Sequence, residues 1–133
     1  MIRFMLNKLV RDKIPADQVR TNQNPVYYKL DPTEHAEALV AKLIEEAQEI
    51  SVADVEHATE EIADVQQVID DLKALLSIAD EDVIAAQSAK REKSGGFADG
   101  MYVESVRVEE GSSWADYYRT DPKRFIEIDE VDD

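Results

Sequence analysis

A chain of 133 residues with 15 Lys and Arg against 30 Asp and Glu carries a formal net charge of −15. A field of that sign repels phosphate backbones and anionic lipid, which argues against nucleic acid and membrane surfaces as partners. The absence of cysteine removes disulfides, thiolate metal sites and cysteine nucleophiles together and suits a reducing, cytoplasmic setting. The length favours one domain over 1–133 with room for a core. The N-terminus lacks the long apolar stretch of a signal peptide, and no run approaches the roughly 20 apolar residues of a membrane helix.

The first 32 residues are mixed in character, with Leu6 to Pro15 followed by a polar stretch that contains Asn22, Asn24 and Pro25. Val26-Tyr27-Tyr28-Lys29-Leu30 has the β-branched and aromatic content of a short strand. Asp31-Pro32-Thr33-Glu34 reads as a helix start, since Asp or Thr can accept from the orphan amides of a first turn. A helix over 33–50 follows, with Leu39, Leu43, Ile44, Ala47 and Ile50 at spacings of three and four. A second over 54–76 carries Ile62, Val65, Val68, Ile69, Leu72, Leu75 and Leu76, with Asp54 placed to cap it. The third begins near Asp80, with acidic residues in its first turn, and ends in Lys90, Arg91, Lys93 and Gly95. Residues 100–108 alternate as a strand does, whereas Trp114, Tyr117 and Tyr118 have helical spacing before the turn signal Asp121-Pro122. The acidic last seven residues read as a frayed, solvated end. The expected class is mainly α, with a small β element from the N- and C-terminal segments.

The informative anomaly is the place of the carboxylates. With helical residues advancing by about 100° each and Glu46 set at zero, Leu39, Ile50 and Leu43 fall at about 20°, 40° and 60°. Glu49 flanks that apolar stripe. On the second helix Glu61 projects between Val68 and Leu72, and Asp64 lies beside Leu75. An ordinary surface helix keeps such groups on its other side. Burying several like charges costs many kcal/mol unless something neutralises them. Glu46/Glu49 and Glu61/Asp64 each share one side of a helix at i,i+3 spacing. Two such helices facing one another antiparallel make an all-oxygen cage, which suits Mg²⁺ or Mn²⁺ better than zinc. The competing reading is a charged bundle whose acidic groups reach water or bind lysine; it is strong for one glutamate and weak for two pairs on two apolar faces.

These residues carry a resemblance. Leu43-Ile44-Glu45-Glu46-Ala47-Gln48-Glu49 followed by Glu61-Ile62-Ala63-Asp64 resembles the EExxE…ExxD signature of the all-α, MazG-like nucleoside triphosphate pyrophosphohydrolases. Lys8-Leu9-Val10-Arg11-Asp12-Lys13-Ile14-Pro15 is similar to the N-terminal motif of a small house-cleaning branch of that superfamily, and Lys90-Arg91-Glu92-Lys93-Ser94-Gly95-Gly96-Phe97 to its post-helix motif. The ordered pieces cover about residues 6–107; the extension over 108–133 lies outside them. The resemblance implies a helical bundle completed by dimerisation, as a homodimer or higher oligomer. It also implies a Mg²⁺ cofactor held by Glu46, Glu49, Glu61 and Asp64, with Glu45 as a further catalytic carboxylate. The substrate implied is a nucleoside triphosphate, noncanonical ones included, cleaved to nucleoside monophosphate and pyrophosphate. Lys8, Arg11, Lys13, Lys90, Arg91 and Lys93 would supply cationic donors to its phosphates. One departure is Ser94, where the family usually has Arg before Gly-Gly-Phe.

Other candidates rank lower. His35 and His57 read as polar surface, Asp71 as an exposed flank, and Trp114, Tyr117 and Tyr118 as packing a tail onto the bundle rather than as a base platform. No Ser/His/Asp set, phosphate-binding glycine loop or HExxH pattern occurs. Two alternatives to the house-cleaning reading are a phosphoribosyl-ATP pyrophosphohydrolase of the same fold and a non-enzymatic acidic helical binding module.

Overall fold

The computed structural model describes residues 1–128, and within them the chain is helical, with five helices and no strand. It divides into two compact units, Met1–Ser94 and Gly95–Asp133. No helix among the described residues is long and apolar enough to cross a membrane.

In the first unit, helix α1 spans Ile14–Arg20. Pro15 sits in its first turn, where a missing amide hydrogen costs nothing, and the Thr21 hydroxyl donates back to the Asp17 carbonyl at 2.8 Å to close it. Asn22 and Asn24 then take positive φ values of 61° and 51°, which turn the chain. The mixed reading of the first 32 residues missed this helix because seven residues give too short a window for a periodic signal. Helix α2, Pro32–Gln48, starts as expected, with the Asp31 carboxylate accepting from the Glu34 amide at 2.8 Å. Helix α3, Val55–Leu75, is capped in the same way by Asp54, which accepts from the His57 amide at 3.2 Å.

Helix α3 ends without glycine. Ser77 adopts a φ of 56°, so that the Ile78 amide reaches the Lys73 carbonyl at 2.9 Å and the Ser77 amide reaches that of Ala74 at 3.2 Å. This is the paired hydrogen-bond pattern of a left-handed helix cap. Lys73 then bridges Asp70 at 3.2 Å and Asp80 at 2.8 Å, which ties the end of α3 to the start of α4, Asp80–Ser94. Gly95, with a φ of 79°, follows the last residue of α4.

Helices α2 and α3 form the substantial helix–helix interface of the described residues. Glu46, near the end of α2, meets Glu61 and Asp64 in the first half of α3, so the pair runs antiparallel. Leu39 is 3% exposed and Val68 8%. Each marks the inner face of its helix. Helix α4 buries none of its residues, and Ile44, Ile62 and Ile84 stay open to solvent.

The second unit is built around α5, Ser113–Arg119, capped by the Ser112 hydroxyl accepting from the Ala115 amide. Trp114, Tyr117 and Tyr118 cluster with Phe125 inside this unit, with neighbouring ring centroids 5.1–6.2 Å apart, and Ala115 of the same helix is buried. Arg119 holds Glu110 through two hydrogen bonds of 2.7 and 3.0 Å and Glu127 through two of 2.6 and 3.1 Å. Those bonds keep both carboxyls below, and the guanidinium above, their ordinary values. Glu127 is therefore anchored, while the rest of the acidic tail, 129–133, lies outside the described residues.

The strands expected over 26–30 and 100–108 do not form within the chain. Alternation makes a segment competent to pair, but a ladder needs a neighbouring edge for its amides and carbonyls, and neither segment finds one.

Candidate metal centre

Glu46 lies seven residues after buried Leu39, and Glu61 seven before buried Val68. Seven residues are close to two helical turns, so both carboxylates stand on the inner faces that the apolar pair defines. Side-chain oxygens of Glu46, Glu61 and Asp64 all lie within 4.8 Å of one another. Glu46 is the buried charged residue of the described chain, 8% exposed.

The three carboxylates differ in their partners. Glu46 Oε1 receives Lys42 Nζ at 3.1 Å, and the same ammonium reaches Glu45 Oε1 at 3.3 Å. Burial pulls the Lys42 ammonium toward neutrality, but the hydrogen bonds to Glu46 and Glu45 outweigh it and hold the group above its ordinary value. Asp64 Oδ1 accepts from Arg11 Nη2, a contact that spans 53 positions of sequence. Glu61 has neither partner. Its Oε1 faces His57 Nε2 at 3.5 Å, and its Oε2 is buried with no hydrogen-bond partner. Burial raises the Glu61 carboxyl above its ordinary value, a hydrogen bond shared with Glu49 and that group's charge raise it further, and only His57 opposes them.

Most of the sequence-predicted carboxylates therefore meet. Glu46, Glu61 and Asp64 form the cluster, Glu49 touches Glu61 from the C-terminal cap of α2, and Glu45 joins through Lys42. Of the cations, Arg11 reaches Asp64, and Lys8 lines a neighbouring cavity of about 220 Å³ together with Asn7, Lys42 and Glu45. Lys13 occupies the N-cap position of α1, where its exposed side chain makes no capping hydrogen bond. Lys90, Arg91 and Lys93 are exposed in the last turns of α4, and no ion pair joins them to the cluster among the described residues.

Sequence reasoning missed Lys42; His57 is half exposed, as expected of a surface residue, but it also faces Glu61. Both carry a readable signal, since each stands four residues before a cluster glutamate, a spacing that brings side chains together on one helix. Arg11 was legible as a cation but not as the partner of Asp64.

The donor set fits a hard divalent cation. Carboxylate oxygens are what Mg²⁺ and Mn²⁺ select, and a buried oxygen without a partner is an acceptor in want of positive charge. No protein-family model, curated protein or solved structure matches the chain.

Proposed function

We propose that the chain is a Mg²⁺-dependent nucleoside triphosphate pyrophosphohydrolase acting on noncanonical nucleotides in the cytoplasm, in the manner of the MazG-like enzymes that its motifs resemble. The observation that carries this reading is the convergence of Glu46, Glu61 and Asp64 within 4.8 Å on two apolar helix faces, with Glu61 Oε2 buried and unpaired. A structural salt-bridge network accounts for Glu46 and Asp64, which have Lys42 and Arg11, whereas Glu61 has only His57 beside Oε1 and keeps Oε2 without a partner.

In this mechanism Glu46, Glu61 and Asp64 would hold the metal, with Glu49 beside Glu61. Bound there, Mg²⁺ supplies charge that neutralises the triphosphate and the negative charge developing on the phosphorus under attack. Lys8 and Lys42, which line one cavity, and Arg11 beside Asp64 offer donors to phosphate oxygens. Glu45 stands at that same cavity and takes the proton of the attacking water. The water oxygen bonds to the α-phosphorus, and the bond to the bridging oxygen breaks. Pyrophosphate leaves with the electron pair.

The working unit in this reading is a homodimer. Within the first unit only Leu39, Val68 and Glu46 are buried, and α4 presents no buried residue. A bundle so open gains its missing core from a second copy. A second copy also gives segments 26–30 and 100–108 an edge on which to form the small β element.

Pyrophosphate release across canonical, oxidised and deaminated triphosphates, with phosphoribosyl-ATP as a separate arm, tests the reading. Turnover that requires Mg²⁺ or Mn²⁺ and favours a noncanonical nucleotide is the expected result. Preference for phosphoribosyl-ATP moves the substrate assignment, and no turnover with any member of the panel refutes the enzyme.

A further inference from the structure

The cluster reaches charge balance in part through the protein's own cations. Lys42 is the positive partner of Glu46, and its side chain is only 17% exposed. Arg11 is the positive partner of Asp64, and it arrives from outside both helices. These two side chains cover oxygens of two of the three residues that converge, and they leave the third residue with a bare oxygen. Two monovalent groups on flexible stems thus stand against two of the carboxylates that a divalent cation would take.

We propose that Arg11 and Lys42 are resident counter-ions of the carboxylate cluster, displaced when a divalent cation binds and thereby released to the phosphates of the substrate. This inference rests on the metal-centre reading given above and adds to it a competition between protein cations and metal. The physical basis is that one carboxylate group cannot serve an ammonium or guanidinium and a divalent ion at full strength, because the two positive charges repel at short range. The arrangement has two consequences. Without metal, the like charges of the cluster are partly neutralised, so the α2–α3 seam holds together. With metal, positive side chains appear at the edge of the site when the anionic substrate needs them, which couples metal binding to phosphate binding in both directions. Lys42 also contacts Glu45 at 3.3 Å and keeps that partner when it leaves Glu46, so its release leaves no buried ammonium unpaired.

The test reads metal affinity and not turnover. Mg²⁺ and Mn²⁺ are titrated by calorimetry into the wild-type protein, Arg11→Met, Lys42→Met and Lys29→Met, the last removing one positive charge from an exposed residue outside the cluster. Removing a competing cation should tighten Mn²⁺ binding by about three- to tenfold in Arg11→Met and in Lys42→Met, the range set by a unit charge near the ion at high effective dielectric. Lys29→Met should bind as the wild type does. Arg11→Lys, which keeps a cation of different reach, should fall between wild type and Arg11→Met. Arg11 is 59% exposed, so its variants keep the proposal testable should Lys42→Met fold poorly. Unchanged or weaker binding in both methionine variants overturns the counter-ion role and leaves the metal centre standing. Absence of Mg²⁺ and Mn²⁺ binding in the wild type overturns both.

Discussion

Glu46 and Glu61 occupy equivalent places on facing helices, yet replacing each by Gln should shift the stability of the metal-free protein in opposite directions. Glu46→Gln removes the charge that holds Lys42 at 3.1 Å within a seam where the glutamate is 8% exposed. A charge-assisted hydrogen bond is worth about 1.5–3 kcal/mol. Part of that is recovered because Lys42 keeps Glu45 and retains some access to water. The net cost should be about 1–2 kcal/mol, or a fall in Tm of roughly 3–10 °C for a domain of this size. Glu61→Gln removes instead a charge that burial and Glu49 both oppose, and the new amide can donate to Glu49. Its Tm should stay level or rise. Both variants should lose most of the stabilisation that Mg²⁺ gives the wild type, about 2.7 kcal/mol at a hundredfold excess over Kd. Differential scanning fluorimetry with EDTA and with Mg²⁺ reads all of this. A Glu61→Gln protein that melts several degrees below wild type and keeps its full Mg²⁺ shift would refute the reasoning, because Glu61 would then be a structural partner and not a metal ligand.

The raised Glu61 carboxyl also sets a pH dependence. Between its elevated value and the ordinary 4.5, the folded state binds more protons than the unfolded, so the metal-free protein should gain stability as pH falls through that window, and Glu61→Gln should lack the gain. Glu110 and Glu127 are held below 4.5, so their contribution is present above that value and should be lost at more acid pH, visible as a separate change in Trp114 fluorescence. Leu39→Ala, at a site 3% exposed, should cost about 2–5 kcal/mol in urea unfolding; a cost below 1 kcal/mol would show that the α2–α3 seam is not where the core lies. Excess EDTA should abolish turnover, with Mg²⁺ or Mn²⁺ restoring it and Zn²⁺ doing so poorly, and undiminished activity in EDTA would remove the metal from the mechanism. Light scattering should give a mass about twice 15.0 kDa, and a fully active monomer would sink the dimer.

What could be read from the sequence divides by the range of the interaction. The caps at Asp31 and Asp54, the end of α4 at Gly95 and the inner faces of α2 and α3 are properties of segments a few residues long, and they stand in the structure as periodicity and capping chemistry place them. The carboxylate cluster was legible for the same reason. Glu46 and Glu61 interrupt apolar stripes within single helices, and a short connection between two such helices leaves little choice but to face them. The short helix α1 was not legible; the end of α3 was placed at 76 from its apolar period, but the left-handed turn at Ser77, which usually calls for glycine, had no signal. The least legible feature is the one that decides how the cluster is neutralised. Arg11 and Asp64 are separated by 53 positions, and no pattern within either segment encodes their meeting. Pattern reasoning thus finds where charge is misplaced, because misplacement is defined against a local stripe. It cannot say which misplaced charges are satisfied, because satisfaction is a tertiary fact. Glu46 and Glu61 look alike in sequence and separate only when Lys42 is seen on one, and on the other only His57 beside Oε1 with Oε2 bare. The bare oxygen of Glu61 is therefore the observation that turns an acidic seam into a candidate site.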